Sequence, residues 1–252
     1  MKRATTRFCF LLILIFASCS SLKESALKGN PDFVANAEKY LITSPIPSTT
    51  SKPQIYKFED SQTRTVYEVE VKVQEPGTRD DRESPAVPGG VILTKEFEGH
   101  RLFINNAMDK KSYEIMGTTS LVRATEQRSA KVTEETIMIN YPVEFWIFEE
   151  GKDVGKFAVL RPESLTAQRM EIALHKQHME LEFQDQFNKH YYSFKSGGEL
   201  IAFIEMKPKG FVATSMKGAA SFKPGLSPEQ KSDVLASFIV VGIVMRIIHE
   251  VA

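Results

Sequence analysis

A long apolar segment near the C-terminus constrains the fold of this chain most. Residues Val234 to Met245 include no charged side chain, and their apolar side chains would lie on every face of a helix. Ser227-Pro228-Glu229-Gln230 comes just before, with a capping hydroxyl, a proline suited to the first helical position and a glutamine three residues after the cap. The pattern predicts a helix over 228–250, and a helix that is apolar all round is either buried or in lipid.

The length of the uncharged run distinguishes these two environments. Its twelve residues would cover about 18 Å as a helix, whereas the hydrocarbon core of a bilayer is about 30 Å thick. A longer span would bring Arg246, His249 and Glu250 into or near the bilayer, which is costly. We therefore favour a helix enclosed by the rest of the domain over a membrane tail.

Short strand-like segments occupy most of the chain before this helix. From Tyr67 to Val73, apolar residues alternate with charged ones, which is the period of a strand with one buried face. Similar segments recur about every ten residues, for example at 91–94 and 101–104, a spacing typical of antiparallel sandwiches and barrels. Turn residues separate some of them, at Asn105-Asn106, Gly151-Lys152-Asp153 and Ser196-Gly197-Gly198. The predicted fold class is mostly β (α+β), with an antiparallel closed barrel-like sheet around a buried hydrophobic C-terminal helix.

The N-terminus has the features of a secretory signal. Three basic residues (Lys2, Arg3 and Arg7) precede an apolar run from Phe8 to Phe16, and small residues follow it. This run is too short to cross a bilayer as a helix. Residues 1–18 are therefore predicted to be a signal peptide that is removed.

The stretch Phe16-Ala17-Ser18-Cys19 resembles the lipobox of bacterial lipoproteins. In that family the cysteine becomes the first mature residue and carries the lipid, so the resemblance implies acylation of Cys19, for example with palmitate. Phe16 departs from the usual leucine. The alternative is an ordinary signal cleaved after a small residue, with Cys19 an incidental thiol. Cys9 leaves with the signal, so an intrachain disulfide is excluded.

The mature chain divides into a tether and a domain. Residues 19–60 read as a lipidated tether and linker, with one short helix over 31–41 and a Pro/Ser/Thr-rich stretch over 43–53. Residues 61–252 form the predicted β-rich domain. Within it, 75–90 is rich in proline and glycine around a charged run and is predicted to be a long loop.

Two segments carry a resemblance to a known fold. The stretch 221–233 with the helix that follows, and the hairpin Phe145–Lys156, look like parts of the superfamily of tubby C-terminal domains, phospholipid scramblases and LURP-one-related proteins. There a closed twelve-stranded barrel wraps a hydrophobic C-terminal helix, which the resemblance implies for about 91–252. The sequence lacks a cluster matching the phosphoinositide-binding lysines and arginines of tubby domains. It also lacks the cysteine-rich and calcium-binding segments of scramblases.

Charge and motif content limit the functions that this chain can have. The 32 basic and 32 acidic residues become 29 and 32 once the signal is removed, which argues against a nucleic-acid binder. The sequence contains no Gly-x-Ser-x-Gly motif and no P-loop. His175 and His178 are weak candidates for metal ligands, but their spacing matches no known metal motif, so scattered surface histidines are favoured. We predict no catalytic residue, no metal and no cofactor.

These observations predict a membrane-anchored lipoprotein of the bacterial cell envelope, with a β-rich domain that binds a ligand or partner without catalysis. Ser20 after the lipidated cysteine is compatible with the outer membrane. Phospholipid binding or handling, as in scramblase-like proteins, is the alternative, and a metal-dependent enzyme is less favoured. The sequence leaves the ligand and the oligomeric state open.

Overall fold

A computed structural model describes residues 31–74, 80–83, 91–129, 132–162, 167–186, 189–208 and 215–251. Helix α1 (Pro31–Asn36) belongs to an N-terminal unit that ends at Ala37. All other described elements belong to the unit Glu38–Ala252. The predicted signal peptide and Cys19 lie outside the described residues.

The second unit is built from one antiparallel sheet of fourteen strands and one long helix. The strands are β1 (Glu38–Pro45), β2 (Gln54–Asp60), β3 (Val66–Gln74), β4 (Asp80–Glu83), β5 (Val91–Asn106), β6 (Lys111–Ser129), β7 (Val132–Ile139), β8 (Val143–Glu149), β9 (Lys152–Val159), β10 (Ala167–Leu174), β11 (Gln177–Gln186), β12 (Lys189–Ser196), β13 (Glu199–Pro208) and β14 (Ser215–Phe222). The helix is α2 (Pro228–Val251).

Twelve of these strands close into a barrel. The hydrogen-bonded order is β5-β3-β2-β1-β14-β13-β12-β11-β10-β9-β8-β6, and pairing of β6 with β5 completes the circle. Burial alternates along the strands, as in β1, where Tyr40, Ile42 and Ser44 are buried while Leu41 and Thr43 are exposed. This period of two points one row of each strand into the barrel. The predicted fold class is confirmed.

The hairpin of β5 and β6 extends beyond the barrel. The end of β5 that lies next to the hairpin turn pairs with β3, and the corresponding part of β6 pairs with β8. The other half of each strand instead pairs with β4 or β7. Strands β4, β5, β6 and β7 therefore form a four-stranded extension of the barrel wall, which we call the wing.

Helix α2 is buried by the barrel. Every residue from Lys231 to Val241 is buried, and so are Ile243, Val244, Ile247 and Ile248. Helix and wall touch along the helix: the ring of Phe238 meets Tyr192 of β12 edge-on with centroids 4.9 Å apart, and a Cβ added at Gly242 would lie 3.1 Å from Pro47. No helix among the described residues has both the length and the apolar character needed to cross a membrane.

The start of α2 has the cap that the sequence predicts. The backbone N–H of Gln230 donates to Ser227 Oγ over 3.1 Å, and the backbone N–H of Ser227 donates to Gln230 Oε1 over 2.9 Å. This reciprocal pair is a capping box, which satisfies donors that a helix terminus otherwise leaves open.

Three predicted features of the chain differ in the structure. The predicted tether over 19–60 is wrong for its second half, because β1 and β2 are barrel strands that pair with β14 and β3. The sequence of β1 does alternate, but Pro45, Pro47 and Pro53, at its end and before β2, gave the stretch a linker-like composition. The short helix ends at Asn36 rather than Leu41.

The second difference lies between β3 and β5. The predicted loop 75–90 contains strand β4 at Asp80–Glu83, while 75–79 and 84–90 lie outside the described residues. Two short strands predicted at 91–94 and 101–104 are one strand of 16 residues, β5. Its long partner β6 supplies cross-strand hydrogen bonds along the whole length, which local sequence does not reveal.

The third difference concerns turns. Gly151 and the Gly197-Gly198 pair do lie in hairpin turns with positive φ, as predicted. Asn105-Asn106 instead ends β5, and the turn follows at 107–110. Asn106 is buried there because its side chain bonds to the helix: its Nδ2 donates to Ser232 Oγ over 2.6 Å.

Two serines of the helix region are expected to affect stability in opposite directions. Ser227→Ala removes the cap and should lower the free energy of unfolding by about 1 kcal/mol. Ser237→Ala removes a buried hydroxyl that has no hydrogen-bond partner within the described structure, and should raise it by about 1 kcal/mol. Urea denaturation of the two variants and the parent protein measures both changes. Changes of the same sign would contradict this description of the helix.

Candidate functional site

A cluster of charged residues surrounds the N-terminal end of α2. We call Lys111, Glu149, His175, Glu229 and Asp233 the end cluster. Three hairpins and the helix supply them: Lys111 begins β6, Glu149 ends β8, His175 lies in the β10–β11 turn, and Glu229 and Asp233 lie on α2. The end cluster therefore joins the wall of the barrel to the helix inside it.

His175 is the centre of this cluster. Its Nδ1 lies 3.1 Å and 3.2 Å from the two carboxylate oxygens of Asp233, and its Nε2 lies 2.9 Å from Glu149 Oε2. Both nitrogens can donate at once only when the ring is protonated. His175 has a φ of 48° and Lys176 one of 67°, as the tight β10–β11 turn requires. Residues other than glycine rarely adopt such backbone angles, so this turn holds the imidazole in place at a conformational cost.

Burial and the neighbouring carboxylates shift the pKa of His175 in opposite directions. Burial by itself lowers the pKa of His175, but the hydrogen bonds to Glu149 and Asp233 outweigh it and raise the pKa above its usual range. Burial also raises the pKa of the Asp233 carboxyl, against the lowering by the His175 hydrogen bond. The pair is therefore stable only while the imidazolium accompanies the buried carboxylate, because an unpaired buried charge is costly.

Hydrogen bonds extend the cluster to the β5–β6 turn. Lys111 Nζ lies 3.0 Å from Glu229 Oε1 and 3.5 Å from Glu149 Oε2. The hydroxyl of Tyr113 donates to Asp109 Oδ2 over 3.2 Å, and the same oxygen accepts from Ser232 Oγ over 2.5 Å. These contacts satisfy the polar groups that lie at this end of the barrel.

The end cluster offers little for catalysis. Its imidazole already bonds to a carboxylate on each side, and its three acids, one on the wall and two on the helix, are held by His175 or Lys111. Within the described part of the chain, no group of three or more His, Cys, Asp or Glu side chains is placed to hold a metal ion. The geometry fits a structural connection that depends on protonation.

The structure separates the two histidines that the sequence grouped. His175 is mostly buried in the end cluster, whereas His178 is exposed on β11 opposite Ala173. Among the described residues, no ion pair or hydrogen bond joins their rings. Glu149 and Asp233 were missed because their partner is distant in sequence; the only local signal for them is a charged residue at the edge of an apolar segment.

Another histidine is buried at the base of the wing. His100 on β5 is only 7% exposed, and its Nε2 lies 2.8 Å from Thr119 Oγ1 on β6. Burial lowers the pKa of His100 to about 4, so the ring is neutral near neutral pH. It packs near Phe145 of β8 and belongs to the core.

An apolar surface lies on the outer wall of the barrel. We call Phe103, Met116, Trp146 and Phe148, from β5, β6 and β8, the aromatic patch. Met116 and Trp146 are directly opposite each other and 37% and 41% exposed. Glu114 lies opposite both Phe103 and Phe148, which are partly buried and complete the patch.

Two cations border the aromatic patch. Arg101 Cζ lies 5.1 Å from the centre of the Phe103 ring, and Lys156 Nζ lies 5.9 Å from that of Trp146. Both are within the range of cation–π attraction. Each also forms an ion pair with a neighbouring carboxylate, Arg101 with Glu114 and Lys156 with Glu144. Glu114 lies inside the patch, between Phe103 and Phe148. Arg101, Lys156 and Glu144 border it, so charges of both signs accompany its apolar side chains.

The interior of the barrel leaves little room for a ligand. A cavity between α2 and the wall is lined by apolar side chains of both, including Ile104, Phe157 and Val240, and has room for about one water molecule. The described interior is otherwise occupied by α2 and the inward side chains of the strands.

Comparisons with known proteins identify no relative: no family model, no curated protein and no solved structure matches the chain. The two family resemblances described for the sequence therefore remain predictions.

The end cluster should make stability depend on pH in a defined direction. Since the folded-state pKa of His175 is raised, its stabilising contribution is complete below the unfolded value near 6.5 and is lost as pH rises through the raised pKa. Compared with His175→Gln, the parent protein should be about 2 kcal/mol more stable at pH 6 and progressively less so toward pH 9. Denaturation of both proteins across this range measures the difference.

His178→Gln provides the matched control, because the His178 ring is exposed and makes no ion pair with any described residue. Its stability relative to the parent should stay constant between pH 6 and 9. A constant difference for His175→Gln as well would contradict the role given to the imidazolium.

Proposed function

We propose that this protein is a lipid-anchored lipoprotein of the bacterial cell envelope whose barrel binds a partner on its outer wall without catalysis. One observation carries the proposal: the sole tryptophan of the chain, Trp146, is 41% exposed on the barrel wall beside the exposed Met116. Large apolar side chains grouped on a surface mark binding sites more often than chance exposure does.

The filled interior supports binding on the outside. Barrels that hold ligands in their lumen need an open cavity, and here α2 occupies that space. Aromatic residues and methionine are enriched at the centres of protein interfaces, and arginine accompanies them. The aromatic patch combines these residue types with Arg101 at its border.

Phospholipid is the second candidate partner. Tryptophan and phenylalanine beside cationic side chains also suit the boundary between lipid headgroups and acyl chains. Lys156 and Arg101 would then face lipid phosphates while Trp146 and Phe103 entered the headgroup layer. Glu114 within the patch and Glu144 at its border oppose an anionic surface, and for this reason we favour a protein partner.

The anchor is proposed from the sequence around Cys19. A basic start, an apolar run and small residues before a cysteine supply what lipoprotein processing uses. The mature chain would carry slightly more acidic than basic residues, so its attachment would depend on acyl chains, and two or three of these hold a protein firmly.

Replacement of the predicted acylation site tests the anchor. Cys19→Ala should lose incorporation of radiolabelled fatty acid and move from the membrane fraction to the soluble fraction. Cys9→Ala, within the predicted signal peptide, changes the other cysteine of the chain and should leave both measurements unchanged. Retention of label and membrane attachment by Cys19→Ala would contradict the lipid anchor.

A photo-crosslinking amino acid introduced in place of Trp146 tests the aromatic patch in intact cells. We expect an adduct whose mass spectrum identifies a protein partner; lipid adducts would instead support the phospholipid alternative. The control is the same group in place of Val66, which is 52% exposed at the start of β3 and outside the aromatic patch. Equal adducts at both positions, or none at Trp146, would contradict binding through the patch.

A further inference from the structure

Two lysines lie directly opposite each other on the outer wall. Lys207 of β13 and Lys217 of β14 are cross-strand partners, and both are exposed. Neither forms an ion pair with another described residue. Like charges directly opposite on antiparallel strands destabilise a sheet. The barrel therefore carries a local cost here that an anionic partner would relieve.

More lysines continue this row across the neighbouring strands. Lys217 lies opposite Thr43 of β1, which lies opposite Lys57 of β2. On the other side, the first residue of β12 is Lys189, one position beyond the last paired residues of β12 and β13. Lys57 and Lys189 each have a carboxylate, Glu68 at 2.6 Å and Glu205 at 2.8 Å. We call these four lysines the basic row, in which Lys207 and Lys217 have no carboxylate partner among the described residues.

The opposite arrangement occurs three strands away. Glu171 of β10 and Glu180 of β11 are direct cross-strand partners, and both are exposed. Glu171 forms no ion pair with a described residue, and Glu180 has only Arg169 at 4.0 Å. Lys195 lies opposite Glu180, but its Nζ is 3.1 Å from Glu182. We call Glu171 and Glu180 the acidic pair.

Strand β12 lies midway between the two. It pairs with β11 on one side and β13 on the other, so the acidic pair and the Lys207–Lys217 pair flank it symmetrically. Along β12, the acidic pair is level with Lys195 and the basic row with Lys189. The midpoint between the two charged pairs falls at the outward residues Tyr191 and Ser193 of β12.

The centre of this surface is aromatic. Tyr191 of β12 stacks on Phe203 of β13 with ring centroids 5.9 Å apart and planes inclined by 26°. Both rings are on the outer face and only partly buried. An aromatic centre with charges at the border is the usual anatomy of a protein–protein interface.

We propose that this face, centred on β12, binds a second copy of the chain as a two-fold symmetric dimer. In such a dimer one patch serves both partners, and each residue meets the image of another across the axis. A two-fold axis that lies in the interface, passes between Tyr191 and Ser193 and is perpendicular to the line joining the two charged pairs brings the basic row of each copy onto the acidic pair of its partner. Both like-charge pairs are then neutralised at once, and the stacked rings meet near the axis.

The spacing suits an interface of ordinary size. Three strand-to-strand steps of about 4.8 Å and six residues of about 3.4 Å separate the two charged pairs by roughly 25 Å. A stable interface buries about 800 Å² on each partner, which corresponds to a patch roughly 30 Å across. The aromatic patch lies on other strands, β5, β6 and β8, so the dimer leaves it accessible and the two proposals stand or fall separately.

Charge reversal tests the dimer. Lys207→Glu with Lys217→Glu makes both sides of the face acidic, and Glu171→Lys with Glu180→Lys makes both sides basic. We expect the full chain in a nonionic detergent to have twice the mass of one chain by light scattering at low salt. Each reversed protein alone should dissociate at least 100-fold more readily.

Mixing the two charge-reversed variants is the experiment that decides whether the dimer forms. Their charges are complementary on both sides, so an equimolar mixture should restore a species of twice the mass, which also shows that both variants fold. Lys72→Glu with Lys152→Glu makes the same change in charge on exposed residues of β3 and β9 and should leave the dimer intact. A monomeric parent protein, or a mixture that stays monomeric, would overturn the proposal.

Discussion

The structure depends on the burial of one apolar helix within one closed sheet. A barrel of eight strands can fill its interior with side chains, but a barrel of twelve encloses more space than they occupy. Helix α2 fills that space, and its buried residues, Lys231 to Val241, would expose a large apolar surface without the barrel. The two parts are therefore stable only together. The helix explains how so wide a barrel has a filled interior, and the barrel explains how a helix can be apolar on every face.

The polar end of this helix is satisfied by side chains of the barrel. A buried Asp233 is costly unless it is paired and hydrogen-bonded, and His175 provides both from the tight β10–β11 turn. Lys111 and Glu149 complete the charges around it. We interpret the end cluster as the element that fixes the depth and rotation of α2. Its bonds join the helix directly to the β5–β6 and β10–β11 hairpins, and Glu149 links the β8–β9 hairpin to both.

A filled barrel leaves its outer wall for interactions. The aromatic patch on β5, β6 and β8 and the face centred on β12 use different strands and different chemistry. The first combines exposed apolar side chains with charges of both signs, as a partner site requires. The second contains its own complement, because a lysine pair and a glutamate pair lie on either side of the same strand. A protein tethered by lipid could use both at once, one for a partner and one for a second copy.

The sequence by itself determined the fold class, the capping box and the helix, since each depends on residues that are close together in the chain. The apolar run of α2 argued against a surface helix, and its length argued against a bilayer span. Alternation in strands such as β3 was equally local. Predictions from the sequence were wrong where local composition resembled another kind of segment. The prolines near β1 and β2 made these strands look like a linker. In the wing, two segments predicted as separate strands belong to the single long strand β5.

Only the tertiary structure decided which distant residues meet. His175 reaches Glu149 and Asp233 across 26 and 58 positions of the chain. Met116 faces Trp146, Lys207 faces Lys217, and Glu171 faces Glu180, through strand register alone. Register changes by one residue would turn each of these side chains to the other face of the sheet. The surfaces and the end cluster therefore depend on how the barrel closes, which no single segment specifies.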